Sequence, residues 1–190
     1  MKQRVQILKK WGCLGPTELV LLISLPFGVW MFMRYSYEVG NGKALRIVDA
    51  NTVVIQNDKG KEDTVHLAGI DAPERDQPDG IYAQEQLAKL IAGKEVRVDA
   101  KEQSPTGMRI ANLYVGKEWV NLEMVQSGFA WVAPGKDRDA NLLVAEGRAR
   151  AEGRGLWGQA NPTAPWIWRE THKEEEKEAT DDDRQTSKSP

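Results

Sequence analysis

The chain has very few of the side chains that build disulfide frameworks or histidine-based metal centres. Among 190 residues it has one cysteine, Cys13, and two histidines, His66 and His172. One cysteine excludes an internal disulfide, and the Cys/His spacing of a zinc site is missing. The net charge is also small, −2 at pH 7. The sequence therefore lacks the strongly basic balance that is typical of tight nucleic-acid binders.

A long apolar run lies near the start of the chain. Residues 16–35 form a segment of about 20 residues, which is long enough to cross a ~30 Å hydrocarbon core as a helix. Residues 1–15 carry four basic side chains and no acidic one, which predicts a cytoplasmic N-terminus and a domain on the non-cytoplasmic (periplasmic or extracellular) side. No small-residue cleavage site follows the run, so we predict a single-pass, uncleaved membrane anchor. A cleaved signal peptide and a buried core helix are the alternatives.

Composition divides the rest of the chain into three parts. Residues 36–43 are rich in polar residues and glycine and predict a short linker. Residues 44–169 mix apolar and polar positions with the periodicity of a folded domain. Residues 170–190 hold eight acidic and four basic side chains and no large apolar residue, so we predict a disordered charged tail.

Periodicity within residues 44–169 predicts a mainly β domain with helices, of the α+β class. Alternating apolar residues predict five short strands, and i, i+3, i+4 spacing predicts three helices. The predicted strands cover 44–48, 52–56, 63–67, 96–99 and 110–115, and the helices 81–91, 120–126 and 142–151. Five short strands with a helix after the third fit a small closed Greek-key barrel.

The stretch that links this fold to chemistry is residues 65–74, VHLAGIDAPE. It is typical of a strand that ends abruptly, because Gly69 and Pro73 interrupt it. Asp71 and Glu74 stand at this break, with Arg75 next to them. Two carboxylates on a rigid corner suit a hard cation or a general base, although a solvated turn has the same local pattern.

Three further motifs surround that stretch in a recognisable order. Asp49-Ala50-Asn51-Thr52 precedes it, and Gly107-Met108-Arg109 and Gly128-Phe129-Ala130-Trp131 follow it. With this order and spacing, residues 44–169 resemble the thermonuclease (staphylococcal nuclease-like) family. The resemblance implies a five-stranded OB-type Greek-key barrel with three helices, here preceded by one transmembrane helix.

The resemblance also implies where a catalytic site would lie. In thermonucleases a calcium ion is held by two aspartates and a carbonyl, while one glutamate and two arginines serve the reacting phosphate. Glu74 matches the catalytic glutamate, and Asp71 matches one metal-binding aspartate. Asn51 takes the place of the other aspartate, and His66 and Met108 take the places of the two arginines.

All three departures from the family pattern remove charge from the site. Asn51 weakens a calcium site, and His66 is a poor substitute for a bidentate guanidinium. Arg109 lies one residue from the second arginine position. A one-residue shift turns a strand side chain to the other face unless a bulge intervenes. Arg75 and Arg109 are the two candidate binding residues.

We therefore predict that catalysis has been lost and that no cofactor is needed. The predicted role is a binding, accessory or scaffold subunit at the membrane, with other membrane proteins as partners. One alternative is a calcium-dependent nuclease of DNA or RNA with a degenerate or displaced site, in which case calcium is the cofactor. The other is a nucleic-acid or nucleotide binder without cleavage.

Three tryptophans, Trp157, Trp166 and Trp168, follow the last predicted helix together with Pro162 and Pro165. Such a strap can stack on a base or sugar. Because tryptophan buries a large apolar area, the sequence favours packing of the strap back on the barrel.

Overall fold

Five strands of the described chain close into a barrel. The computed structural model describes residues 39–135 and 138–173. The barrel strands are β1 (Val39–Ile47), β2 (Thr52–Asn57), β3 (Glu62–Leu67), β5 (Glu95–Gln103) and β6 (Arg109–Val115). They pair antiparallel in the order β3-β2-β1-β5-β6, and a parallel pairing between β3 and β6 closes the circle. The predicted OB-type Greek-key barrel is confirmed.

Short strands and helices are packed around this barrel. The short strands are β4 (Ile70–Asp71), β7 (Glu118–Trp119) and β8 (Trp131–Val132). The helices are α1 (Gly80–Ile91), α2 (Val120–Gln126), α3 (Ala140–Ala151), a 3-10 turn (Gly155–Gly158) and α4 at residues 165–173. The three predicted helices correspond to α1, α2 and α3, and α4 was not predicted.

One apolar core joins the barrel interior to the helices. Inward positions of the strands alternate with less buried ones, as in β5, where Val96, Val98 and Ala100 are buried. Helix α1 turns Leu87 and Ile91 toward this core, and neither is exposed. The core exists because strand residues two apart and helix residues three or four apart share one face.

The predicted linker 36–43 is wrong for its second half. Residues 39–43 belong to β1 and pair with Glu95–Asp99. Gly42, which favoured a linker in the sequence, is required by close packing. A Cβ atom on it would lie 2.5 Å from Cγ2 of Ile55 and 2.6 Å from the carbonyl oxygen of Gln56. A glycine inside a strand thus marks a close approach of two chains.

The predicted disordered tail 170–190 is wrong at its start, because α4 continues to residue 173. Pro165 is its first residue, a position where its missing N–H is not needed, and the Trp168 N–H donates to the Ala164 carbonyl oxygen. Residues 174–190 lie outside the described residues. So do residues 1–38, which include the predicted membrane span. Within residues 39–135 and 138–173, no helix has the length and apolar character needed to cross a bilayer.

Asn121, at the start of α2, holds the closed side of the barrel. Its side chain is fully buried, accepts a hydrogen bond from the Leu113 N–H, and donates to the carbonyl oxygens of Ala68 and Ala111. These groups belong to β6 and to the turn after β3, where the parallel pairing ends. The buried amide thereby bonds backbone groups of both segments, and the Ala111 carbonyl oxygen also accepts from the Ala68 N–H.

We expect Asn121→Ala to lower the free energy of unfolding by about 2–3 kcal/mol, because it leaves buried backbone groups unpaired. Urea unfolding of the full chain in mild detergent measures this change. Asn141→Ala is the matched control, since Asn141 is exposed and its side chain makes no described hydrogen bond. Equal stability of the two variants would contradict the role given to Asn121.

Candidate functional site

Two carboxylates lie at a rigid corner next to the barrel. Asp71 is the last residue of β4 and pairs with Trp131 of β8, which fixes its backbone. Glu74 follows two residues after Ala72. Its N–H donates to Oε1 of Gln77, and its carbonyl oxygen accepts from the Gln77 N–H. A Cβ atom at Gly80 would overlap the Glu74 carbonyl, so α1 begins directly against this loop.

A third charged residue, Arg169 of α4, joins the two carboxylates. Its Nη2 lies 2.7 Å from Oδ2 of Asp71, and its Nη1 lies 3.2 Å from Oδ1 of Asp71 and 2.6 Å from Oε1 of Glu74. The guanidinium therefore binds Asp71 in a bidentate manner through Nη1 and Nη2, and Nη1 also donates to Glu74. Bidentate pairing is the strongest geometry for an arginine and a carboxylate. The sequence analysis did not identify Arg169.

The electrostatic effect on Arg169 follows from these contacts. Its hydrogen bond with Asp71 is the largest cause that raises the pKa of Arg169, and the contact with Glu74 adds to it; partial burial opposes both. A raised pKa means that the charged guanidinium is favoured in the folded chain. Its stabilisation is fully present below the ordinary arginine pKa and is lost only at still higher pH. The Arg169 side chain is therefore charged across the physiological pH range.

Asn51 lies beside Asp71 in a buried position. Its Nδ2 lies 3.3 Å from Oδ1 of Asp71, and its backbone N–H donates to Oδ1 of Asp49. The Asn51 side chain is 6% exposed, and its Oδ1 has no hydrogen-bond partner among the described residues. A buried carbonyl oxygen without a partner is costly and is free to accept a donor or a cation.

His66 and Met108, the two residues predicted to replace the family's arginines, carry no permanent charge. His66, half-buried on β3, places Nδ1 3.2 Å from Oγ1 of Thr52. Met108 is half-buried before β6, and its N–H donates to Oγ of Ser104. Neither side chain supplies the bidentate donors that a phosphate group needs.

The other two predicted binding residues do not reach the carboxylates. Arg109 pairs in register with Val65, and its Nη2 lies 3.3 Å from Oδ2 of Asp63 near the start of β3. Asp71, in contrast, follows the end of β3. The one-residue shift therefore turns Arg109 away, as strand alternation requires. Arg75 is exposed to solvent beside Glu74.

The arrangement does not fit a calcium ion. Calcium requires six to eight oxygen ligands, roughly 2.3–2.6 Å away. Both carboxylates are hydrogen-bonded to Arg169, and Asn51 turns its amide nitrogen toward Asp71. No cluster of three or more His, Cys, Asp or Glu side chains suited to a metal occurs in the part of the chain that the structure describes.

The segment that delivers Arg169 is fastened to the same loop. Gln77 Nε2 donates to the Thr163 carbonyl oxygen at 2.6 Å, and Gln159 hydrogen-bonds Asp79. Trp157 packs edge-on against Trp131, with ring centroids 4.9 Å apart. These tryptophans pack with Leu156, Ala164 and Trp166 in a second small core. The Trp/Pro strap thus packs on the protein.

Sequence comparison identifies the class of protein to which this barrel and loop belong. The model of the staphylococcal nuclease homologue family matches residues 64–159, and the chain belongs to that family. It is 35% identical over 130 residues to an "Uncharacterized endonuclease" of Escherichia coli O157:H7, a match that covers 68% of this chain and 84% of the relative. It is 33% identical over 165 residues to the "Micrococcal nuclease" of Shigella flexneri, covering 81% and 89%.

A third relative is also named as an endonuclease. An "Uncharacterized endonuclease" of Haemophilus influenzae is 34% identical over 154 residues, which cover 81% of this chain and 86% of that protein.

Asn51 and Arg169 both fall outside the residues that the family model matches. The signal for the helix that carries Arg169 was nevertheless in the sequence. Pro165 followed by apolar Trp166 and Ile167 has the pattern of a helix start.

We expect Arg169 and Asp71 to be energetically coupled. A double-mutant cycle with Arg169→Gln and Asp71→Asn should give a coupling free energy of about 1–2 kcal/mol. The value stays modest because the Arg169 side chain is 41% exposed, and solvent screens such pairs. Because the pKa of Arg169 is raised, its charge adds no pH dependence to the coupling near neutral pH.

Urea unfolding of the full chain in mild detergent measures that cycle. A second cycle that pairs Arg148→Gln with Asp71→Asn is the control. Arg148 is an exposed residue of α3 that makes no described contact with Asp71. Coupling of the same size in both cycles would show that net charge, rather than the ion pair, is responsible.

Proposed function

We propose that this chain is a membrane-anchored member of the staphylococcal nuclease family that binds a protein partner and does not cleave nucleic acid. The observation that carries the proposal is the contact of Arg169 with both Asp71 and Glu74. These are the carboxylates that the family resemblance assigns to the metal and to the attacking water.

Phosphodiester hydrolysis makes three demands on a site. It needs a cation to hold the phosphate, a base to orient water, and positive side chains for the charge that develops in the transition state. In this chain the base position Glu74 is engaged by a guanidinium. The positions that would supply charge hold His66 and Met108.

The expected loss of rate is large. Removing one preorganised contact to developing charge typically costs on the order of 10²–10³ in rate. Several such losses do not simply multiply. Even so, the absence of two arginines together with a weakened metal site leaves little catalysis to expect.

The membrane part of the proposal rests on the sequence. A span at residues 16–35 would hold the barrel close to a bilayer, and confinement raises the effective concentration of the domain toward other membrane proteins. Freely diffusing nucleic acid gains nothing from this confinement. The near-neutral net charge also gives no general attraction for polyanions.

The second candidate is a calcium-dependent nuclease with a displaced site. Its support is the set of relatives named as endonucleases and a micrococcal nuclease, together with the retained Asp71 and Glu74. In that case calcium would have to displace Arg169, and charge for the phosphate would have to come from residues other than His66 and Met108.

We expect the full chain in mild detergent to show no chelator-sensitive cleavage of DNA or RNA with calcium at neutral pH. The Shigella flexneri relative serves as the positive control. Asn51→Asp, His66→Arg, Met108→Arg and Arg169→Gln together should restore cleavage in part, because they return charge to the metal and phosphate positions and release the carboxylates from Arg169. Adding Glu74→Gln should abolish it.

Two results would decide against this proposal. Cleavage by the unmodified chain that disappears in Glu74→Gln would establish the second candidate. A folded quadruple variant without any cleavage would show that the assignment of positions 51, 66 and 108 is wrong. Circular dichroism of each variant establishes that it is folded.

The membrane prediction is tested separately. A reporter fused after Pro190 should be active only on the non-cytoplasmic side. Cross-linking in intact membranes, followed by purification in mild detergent, should recover the chain with a second membrane protein in fixed ratio. Reporter activity in the cytoplasm would overturn the topology, and recovery of the monomer alone would overturn the scaffold role.

A further inference from the structure

We propose that Arg169 is a built-in replacement for a bound cation, so that helix α4 and a divalent metal ion are mutually exclusive occupants of the site. The inference concerns what fills the carboxylate corner and does not depend on the membrane partner or on the absence of cleavage. It is tested by ion binding without nucleic acid, so the proposed function and this inference can fail independently.

The contacts explain why both occupants cannot be present together. Arg169 binds both oxygens of Asp71 and one oxygen of Glu74 at 2.6–3.2 Å. A divalent ion bound to the same oxygens would lie within a few ångströms of the guanidinium. Two positive charges at such a distance, in a partly buried site, repel each other strongly.

The segment before helix α4 is already held in place, so positioning the Arg169 guanidinium costs little additional conformational entropy. Helix α4 follows directly on a strap that is fixed to the loop through Gln77 and Thr163 and through the Trp131–Trp157 contact. These contacts order the approach to α4 independently of the ion pair. A preorganised intramolecular cation has an advantage over an ion from solution, since its ordering cost has been met during folding.

A second observation points to the cation that Arg169 excludes. The Asn51 Oδ1 atom is buried and has no partner in the described part of the chain, while its Nδ2 faces Asp71. A neutral amide oxygen is a suitable ligand for calcium. With Arg169 removed and the amide turned so that Oδ1 takes the place of Nδ2, the corner would offer this oxygen together with the carboxylates of Asp71 and Glu74.

Terbium(III), a luminescent substitute for calcium, tests the inference in the full chain in mild detergent. We expect Arg169→Gln to bind one additional terbium ion at least tenfold more tightly than the unmodified chain, with calcium as competitor. The gain should disappear when Asp71→Asn is added. Arg148→Gln, which removes the same charge from an exposed position on α3, should leave the affinity unchanged.

Three results would overturn the inference. They are unchanged terbium affinity in a folded Arg169→Gln variant, an equal gain in Arg148→Gln, and a gain that persists with Asp71→Asn. Should Arg169→Gln fail to fold, Arg169→Lys replaces it. Lysine keeps the charge but loses the fork, so the gain in affinity should be smaller and still depend on Asp71.

Hydrogen exchange adds a readout of the helix itself. In the Arg169→Lys variant, saturating calcium should speed exchange of the amides at 165–173, because metal binding releases α4. Amides of the barrel strand Val96–Asp99 should be unaffected. Calcium bound with no change at 165–173 would mean that metal and helix occupy the site together, which contradicts the inference.

Discussion

The ion pair between Arg169 and the carboxylates of Asp71 and Glu74 joins helix α4 to the acidic corner beside the barrel. The charge balance of the candidate site depends on it. Two acidic groups at one partly buried corner repel each other unless a positive charge lies between them. Here the chain itself supplies that charge, from a helix that follows the barrel by many residues. The corner, the strap and α4 therefore depend on one another, and a change in any of them alters the site.

Strand alternation decides which charges reach this corner. The parallel pairing of β3 with β6 that closes the barrel sets Arg109 opposite Val65 and Ile110 opposite His66. Arg109 consequently contacts Asp63 rather than the carboxylates. A side chain one position earlier on this strand would project from its other face. Asn121 bonds both segments where this pairing ends.

Local patterns in the sequence were sufficient to predict the barrel and the position of Asp71 and Glu74 at a strand end. Strand periodicity and an acid-rich break are short-range signals. They were insufficient for Arg169, which meets Asp71 from 98 residues away along the chain. Gly42 was misleading for a related reason. The composition of the residues around Gly42 indicates a linker, whereas the close packing that requires a glycine involves Ile55 of the neighbouring strand. Long-range contacts have no signature within a short window.

Membership of the staphylococcal nuclease family and the local chemistry of this chain lead to different expectations, and the site rather than the fold must decide between them. The barrel is that of a family with members named as nucleases, and the family model covers Asp71 and Glu74. A nuclease, however, needs its carboxylates available to a metal and to water, with cations facing the phosphate. In this chain the only cation that the described structure places on the corner is turned inward, onto the carboxylates. One guanidinium thus offsets one of the two negative charges there and engages both carboxylates within the chain.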